Sequence, residues 1–279
     1  MERKVAQEVK GFRTQDGAGV SLVRVLGHNT VKAFDPILLL DSFDSVNPKE
    51  YTAGFPMHPH RGIETISYVY KGFMTHSDSL GNTDTIGDGE VQWMTAGSGI
   101  FHEENLPASE RLLGVQLWLN LPAKDKMVPP GYHSIKRDEI PEVPLHKGKL
   151  RILAGNYNGV EGYKSKYLPL DYYDVHLEGE SSLKIDVDES RSALIFTLLG
   201  DVYVGDTLVV EKTAVKLSQG SFVNLRATSN GAQVLFVSST MLDEPISWGG
   251  PIVMNTKEEL NTAFDDIKKG TFLKRAITY

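Results

Sequence analysis

Apolar residues along this chain fall into short β-rich runs, each bounded by turn residues, with almost no stretch at helical spacing. Ile37–Asp41 (ILLLD), Glu64–Tyr70 (ETISYVY), Gly89–Met94 (GEVQWM) and Leu112–Leu119 (LLGVQLWL) are rich in β-branched and aromatic side chains, which fit a pleated surface. Leu80–Gly89 (LGNTDTIGDG) offers several positions suited to positive φ and reads as a hairpin-like connection. A second series occupies the later half, with strands expected at 172–177, 182–187, 193–199, 201–204, 207–210, 214–217, 222–225 and 233–238. Short strands at this spacing imply a sandwich or barrel. Between the two series, 122–144 carries five prolines and little periodicity, as a linker would. The pattern therefore predicts an all-β chain of two domains, 1–134 and 135–279, using one architecture twice.

One helix stands out. Thr256-Lys-Glu-Glu259 has the form of a capping box, in which the threonine hydroxyl and the Glu259 side chain satisfy free backbone N–H groups. Leu260, Ala263, Phe264 and Ile267 then share a face, and Lys268, Lys269 and Gly270 suit its end.

Composition narrows the function classes. With 279 residues and 41% hydrophobic content, the chain has ample material for packed cores. It has no cysteine, which excludes disulfides, thiolate zinc sites and iron–sulfur clusters. A net charge of −7 without any densely basic window argues against direct nucleic-acid binding. The N-terminal MERKVAQEVKGF lacks an apolar run and does not read as a signal peptide, and no segment reaches the roughly 20 apolar residues of a membrane helix. A cytoplasmic protein is the expectation.

The chemistry lies in Gly54-Phe-Pro-Met-His58-Pro-His60-Arg-Gly-Ile-Glu64 and Gly97-Ser-Gly-Ile-Phe-His102-Glu-Glu104. Side chains at i and i+2 of an extended chain share a face, so His58 and His60 can reach one ion, as can His102 and Glu104. Pro59 stiffens the first pair. If the two strands are neighbours, three imidazoles and one carboxylate converge. That sulfur-free set suits iron(II), manganese, nickel, copper or zinc, and leaves positions open for oxygen or substrate. His-x-His alone is common, so spacing by itself leaves surface or packing histidines as an equal reading. His28, His76, His133, His146 and His176 show no such partner and read as surface or packing residues. Trp93, Trp118 and Phe101 read as core or cavity-lining residues, and Gly97 and Gly99 as a tight turn.

His58-Pro-His-Arg-Gly-Ile-Glu-Thr65, Gln92-Trp-Met-Thr-Ala-Gly-Ser-Gly-Ile-Phe-His102-Glu-Glu104, Gln116-Leu-Trp-Leu-Asn-Leu-Pro122 and Glu244-Pro-Ile-Ser-Trp-Gly-Gly-Pro-Ile-Val-Met-Asn-Thr256 resemble the signature stretches of the pirin family of cupins. The resemblance covers nearly the whole chain. It implies two cupin-type (jelly-roll) β-barrels face to face, ending in a short C-terminal helix, with one mononuclear metal in the first barrel and none in the second. The family's ligands fall on His58, His60, His102 and Glu104, and iron(II) is the expected ion, with other divalent metals admissible. Glu64 fits the general cupin spacing for a carboxylate ligand; the pirin pattern favours Glu104 and leaves Glu64 to orient a histidine. Glu103, between the ligands, should point away.

The resemblance also implies a quercetin 2,3-dioxygenase-like oxidoreductase, using O2 on a flavonol-like aromatic substrate, with Glu104 as ligand and transient proton acceptor. The alternative is a non-catalytic, metal-containing regulatory protein whose partner is a transcription factor or metabolic enzyme. A cupin-type sugar isomerase has only the fold in its favour, and fold alone does not give function.

Overall fold

The computed structural model describes residues 1–274. Its contacts divide the chain into two units, one made of Met1–Phe12, Val25–Pro36 and Asp138–Met241, the other of Arg13–Arg24, Ile37–Arg137 and 242–274. Each unit contains a seven-stranded and a four-stranded antiparallel sheet, so one architecture is indeed used twice. The unit holding Asp138–Met241 encloses an apolar core that includes Leu150, Ile152, Ile195, Val215, Leu225 and Phe236. The other unit has a core around Phe43, Tyr51, Val69, Met74 and Leu112.

A single boundary after residue 134 describes neither end of the chain. Val5–Lys10 pairs antiparallel with Thr213–Leu217 and joins the later unit. The C-terminal helix, assigned from sequence to the later domain, groups with the earlier unit. Backbone hydrogen bonding and apolar contact decide both placements, and neither leaves a local mark in the sequence.

The linker is also more structured than its prolines predict. Gly131–Ile135 is an edge strand paired with Glu90–Thr95, and Glu142–Leu145 is an edge strand paired with Gly148–Ala154. Proline is tolerated at such edges because no ladder hydrogen bond is lost there. The segment read as a hairpin connection contains a strand, Thr83–Ile86, paired with Met74–Asp78.

The helix Lys257–Lys269 forms as the capping box predicts. Thr256 accepts from the Glu259 N–H, the Glu259 side chain accepts from the Thr256 N–H, and Gly270 ends the helix in the left-handed conformation. Ala263 is buried, and Leu260, Phe264 and Ile267 pack with it against Ile252, Met254, Phe101 and Phe272. The cap is worth about 1 kcal/mol, so this packed face is the larger contribution.

Candidate metal centre

Three strands of the four-stranded sheet build the site: Phe55–His60, Ile100–Asn105 and Met74–Asp78. Ile100–Asn105 is central to the three, with His102 opposite His58 on one side and opposite Asp78 on the other. Its burial alternates, so Ile100, His102 and Glu104 face inward while Phe101 and Glu103 lie on the other face. The turn before it, Ala96–Gly99, is closed by a Gly99 N–H to Ala96 carbonyl hydrogen bond.

This pairing gathers His58, His60 and His102, whose ligand atoms all lie within 4.8 Å of one another. The pattern of hydrogen bonds assigns their tautomers. His58 Nδ1 is 2.8 Å from the Pro56 carbonyl and His60 Nδ1 is 2.8 Å from the Pro251 carbonyl. A carbonyl only accepts, so each Nδ1 carries hydrogen and each Nε2 of a neutral ring presents a lone pair. Those two Nε2 atoms are 3.0 Å apart, close enough to share one cation. His102 Nε2 is buried, and no hydrogen-bond partner reaches it among the described residues. A buried polar atom with no partner is costly. These bare nitrogens fit a metal ion.

Glu104 lies on the same strand and is fully buried, but it does not join the group of three. Gln92 Nε2 donates to its Oε1 at 2.5 Å, and Gln116 Nε2 reaches both oxygens at 3.0 Å. Gln92, Ser67 and Gln116 stand opposite one another across three strands of the seven-stranded sheet, a polar rung in apolar strands. Gln92 and Gln116 were unassigned in the sequence. The available signal was a lone amide in each of two otherwise apolar strand cores, GEVQWM and LLGVQLWL. Glu64 belongs to the seven-stranded sheet, where its Oε1 accepts from Thr95 Oγ1 at 2.6 Å, its cross-strand partner. The histidine-orienting carbonyls are those of Pro56 and Pro251.

The C-terminal segment is part of this centre. Beyond the Pro251–His60 hydrogen bond, Val253 N–H donates to the Arg61 carbonyl. Lys126 Nζ donates to the carbonyls of Gly62 and Val253 and to Asn120 Oδ1. Arg61 is 2% exposed; its Nε donates to the Ser98 carbonyl, Nη1 to Asp266 and Nη2 to the Phe272 carbonyl. Only glycine fits after it, since a Cβ at Gly62 would lie 2.0 Å from the Val253 carbonyl oxygen at a φ of +80°.

An aromatic wall flanks the histidines. Trp118 meets His60 edge-on at 5.0 Å, and Trp248 lies 5.6 Å from Trp118; both are partly exposed. Trp93 is instead a core residue, and Phe101 packs on Phe272.

Burial, reinforced by His58, lowers His60 to about 3, and burial with the neighbouring histidines lowers His102 well below the ordinary imidazole range. Both rings are neutral at neutral pH, the form a metal needs. The unfolded chain protonates its histidines near pH ~6.5. Below that pH the unfolded state therefore binds more protons than the folded state. The stability His60 contributes is complete above about pH 6.5 and is lost as pH falls toward about 3, and His102 acts in the same direction. Metal-free protein should lose up to about 1.4 kcal/mol per pH unit per ring in this window. Thermal melts of chelator-treated protein at pH 7, 6 and 5 check this; a constant midpoint would refute it.

The chain is similar to known proteins over nearly its whole length. The Pirin family model matches residues 19–119, and the model of the pirin C-terminal cupin domain matches 172–273. A pirin-like protein of Caulobacter vibrioides is 40% identical over 97% of this chain and 99% of its own. The chain belongs to the pirin family. Pirin of Homo sapiens is 34% identical, with 95% of this chain and 92% of the human protein covered. Among solved structures, a quercetin 2,3-dioxygenase from Acinetobacter baumannii matches with a TM-score of 0.90 at 34% identity, covering 98% of this chain and 99% of that one. The fold is thus the two-cupin fold of pirins. No helix among the described residues is long and apolar enough to cross a membrane.

Proposed function

We propose that this pirin-family chain is a metal-dependent dioxygenase acting on a flavonol-like polyphenol, with His58, His60, His102 and Glu104 holding one iron(II) ion. The observation that carries the reading is the convergence of three histidines, with His102 Nε2 lacking any hydrogen-bond partner, beside the partly exposed Trp118 and Trp248. A planar aromatic ring packs well on such a wall. The structural relative bearing the quercetin 2,3-dioxygenase name supports the substrate class.

An ion in this donor set supplies a Lewis acid for an ionised phenolic hydroxyl together with redox chemistry toward O2. The chain's own residues do the rest. His58 and His60 are oriented by the Pro56 and Pro251 carbonyls, so each offers Nε2 without rearrangement. Glu104 is held by Gln92 and Gln116, whose amide N–H groups fix the position of its carboxyl oxygens. As proton acceptor for the substrate hydroxyl, Glu104 must give up one of the two Gln116 contacts. Trp118 beside His60 screens that ring from water and limits the open side to flat ligands.

The test is oxygen uptake by iron-loaded protein with a flavonol panel. Consumption with at least one flavonol is expected, and none with any of them would sink the enzymatic reading. Glu104→Gln should retain the histidine cluster and lower turnover by about 10²–10⁴-fold, the range for losing a positioned proton acceptor. Turnover within about threefold of wild type would remove Glu104 from the chemistry. The competing role, binding a transcription factor or metabolic enzyme without turnover, predicts partner capture that depends on metal loading and no oxygen uptake.

A further inference from the structure

His76 and Asp78 have the same i, i+2 relation as His58 and His60, on the strand on the other side of His102. The spacing of His76 in the sequence suggests no more than a surface or packing residue. The structure buries it completely and places it between a carboxylate and a proposed ligand. His76 Nε2 is 2.9 Å from Asp78 Oδ2, and His76 Nδ1 is 3.4 Å from His102 Nδ1.

Asp78 Oδ1 accepts from the N–H groups of Leu80 and Asn82, and Oδ2 accepts from Asn82 Nδ2 as well as from His76. A carboxylate fixed by so many donors is an acceptor, so His76 carries its hydrogen on Nε2 and a lone pair on Nδ1. The hydrogen between the two rings must then sit on His102 Nδ1. That leaves His102 Nε2 bare, which is the atom without a hydrogen-bond partner that looks toward His58 and His60. Tyr132 stacks on His76 at 4.2 Å and 11°, holding the ring plane in which this geometry works.

We infer that Asp78–His76–His102 is a relay in which His76 is a positioning residue: it locks His102 in the Nδ1–H tautomer, so that Nε2 is presented to the metal, and increases its donor strength. The metal half of this inference rests on the proposed function; the tautomer half rests only on the protein's own atoms. Outer hydrogen-bond partners of ligating histidines generally fix ring orientation and raise ligand basicity. The usual partner is one carboxylate or carbonyl, as Pro56 and Pro251 are for His58 and His60. Here a second imidazole is interposed, which couples the third histidine to a carboxylate whose side chain is fully buried.

The experiment has two readouts on the full chain. In metal-free wild type, ¹H–¹⁵N correlation of labelled histidines should find the His102 proton on Nδ1, and in His76→Leu that preference should be lost. Nickel(II) titration should give one site in wild type, a site about 10–100-fold weaker in His76→Leu, and substantial recovery in His76→Gln. Glutamine supplies one acceptor for His102 and one donor for Asp78, so recovery separates the relay from mere packing. A wild-type His102 protonated on Nε2, unchanged nickel affinity in His76→Leu, or a His76→Gln variant as weak as the leucine variant would each overturn the inference. A wild type that takes up no nickel yet shows the Nδ1–H tautomer would sink the metal reading and the tuning role with it. That pattern is distinguishable from failure of the relay itself.

Discussion

Replacing His102 by alanine is expected to abolish stoichiometric metal binding while leaving a folded protein. His102 is the only one of the three clustered histidines from the strand Ile100–Asn105, and its ring lies 4.4 Å from that of His58 and 5.1 Å from that of His60. Without it, no imidazole faces His58 and His60 from the opposite strand, and Glu104 is the one proposed ligand left there. Losing only an outer partner of a ligand costs about 10–100-fold in affinity, so losing the ligand should exceed about 100-fold. Folding should survive because His102 forfeits only its long 3.4 Å Nδ1 contact with His76, leaving the cavity term as the main cost. Calorimetric titration with nickel(II) and far-UV circular dichroism on the same sample check both halves. Nickel bound within tenfold of wild type would exclude His102 as a ligand.

The second large effect is expected on stability. Arg61→Met removes a buried guanidinium whose three nitrogens tie the His58–His60 strand to the turn before His102, to the C-terminal helix and to the chain after it. Methionine fills similar volume but leaves the Ser98 and Phe272 carbonyls unsatisfied, and takes from Asp266 one of the partners that hold it below the ordinary carboxylate range, Lys274 foremost. Breaking a buried ion pair by removing one partner costs about 3–5 kcal/mol. At about 2–4 °C per kcal/mol for a domain of this size, the thermal midpoint should drop by roughly 6 °C or more. Metal affinity should fall as well, because Arg61 follows His60 and braces Ser98. A midpoint within a degree of wild type would show that the C-terminal segment does not depend on Arg61. The partner variant Asp266→Asn should also destabilise, since it leaves the buried Arg61 charge with carbonyl acceptors and without its carboxylate.

The three histidines were legible in the sequence because strand periodicity is local. Two i, i+2 pairs predict two shared faces, and the antiparallel pairing of His102 with His58 brought those faces together. His76-x-Asp78 has the same spacing, yet nothing local distinguishes a relay from a surface or packing histidine, because its partner His102 is across the ladder. Gln92 and Gln116 were visible only as amides out of place. Arg61 was quoted within a motif without a role, since its acceptors lie 37 to 211 residues away. The fate of both chain ends was illegible for the same reason: which sheet receives Val5–Lys10, and which unit receives the helix, depends on surfaces that exist only after folding. The capping box, being local, was read correctly from its side chains.

The central claim is that His58, His60 and His102 hold one metal ion. Elemental analysis of protein purified without chelators, alongside His58→Ala and His102→Ala purified the same way, tests it most directly. About one equivalent of a first-row transition metal in wild type and none in either variant is the predicted result. A wild type without metal, or variants that retain it at the wild-type level, would contradict the account.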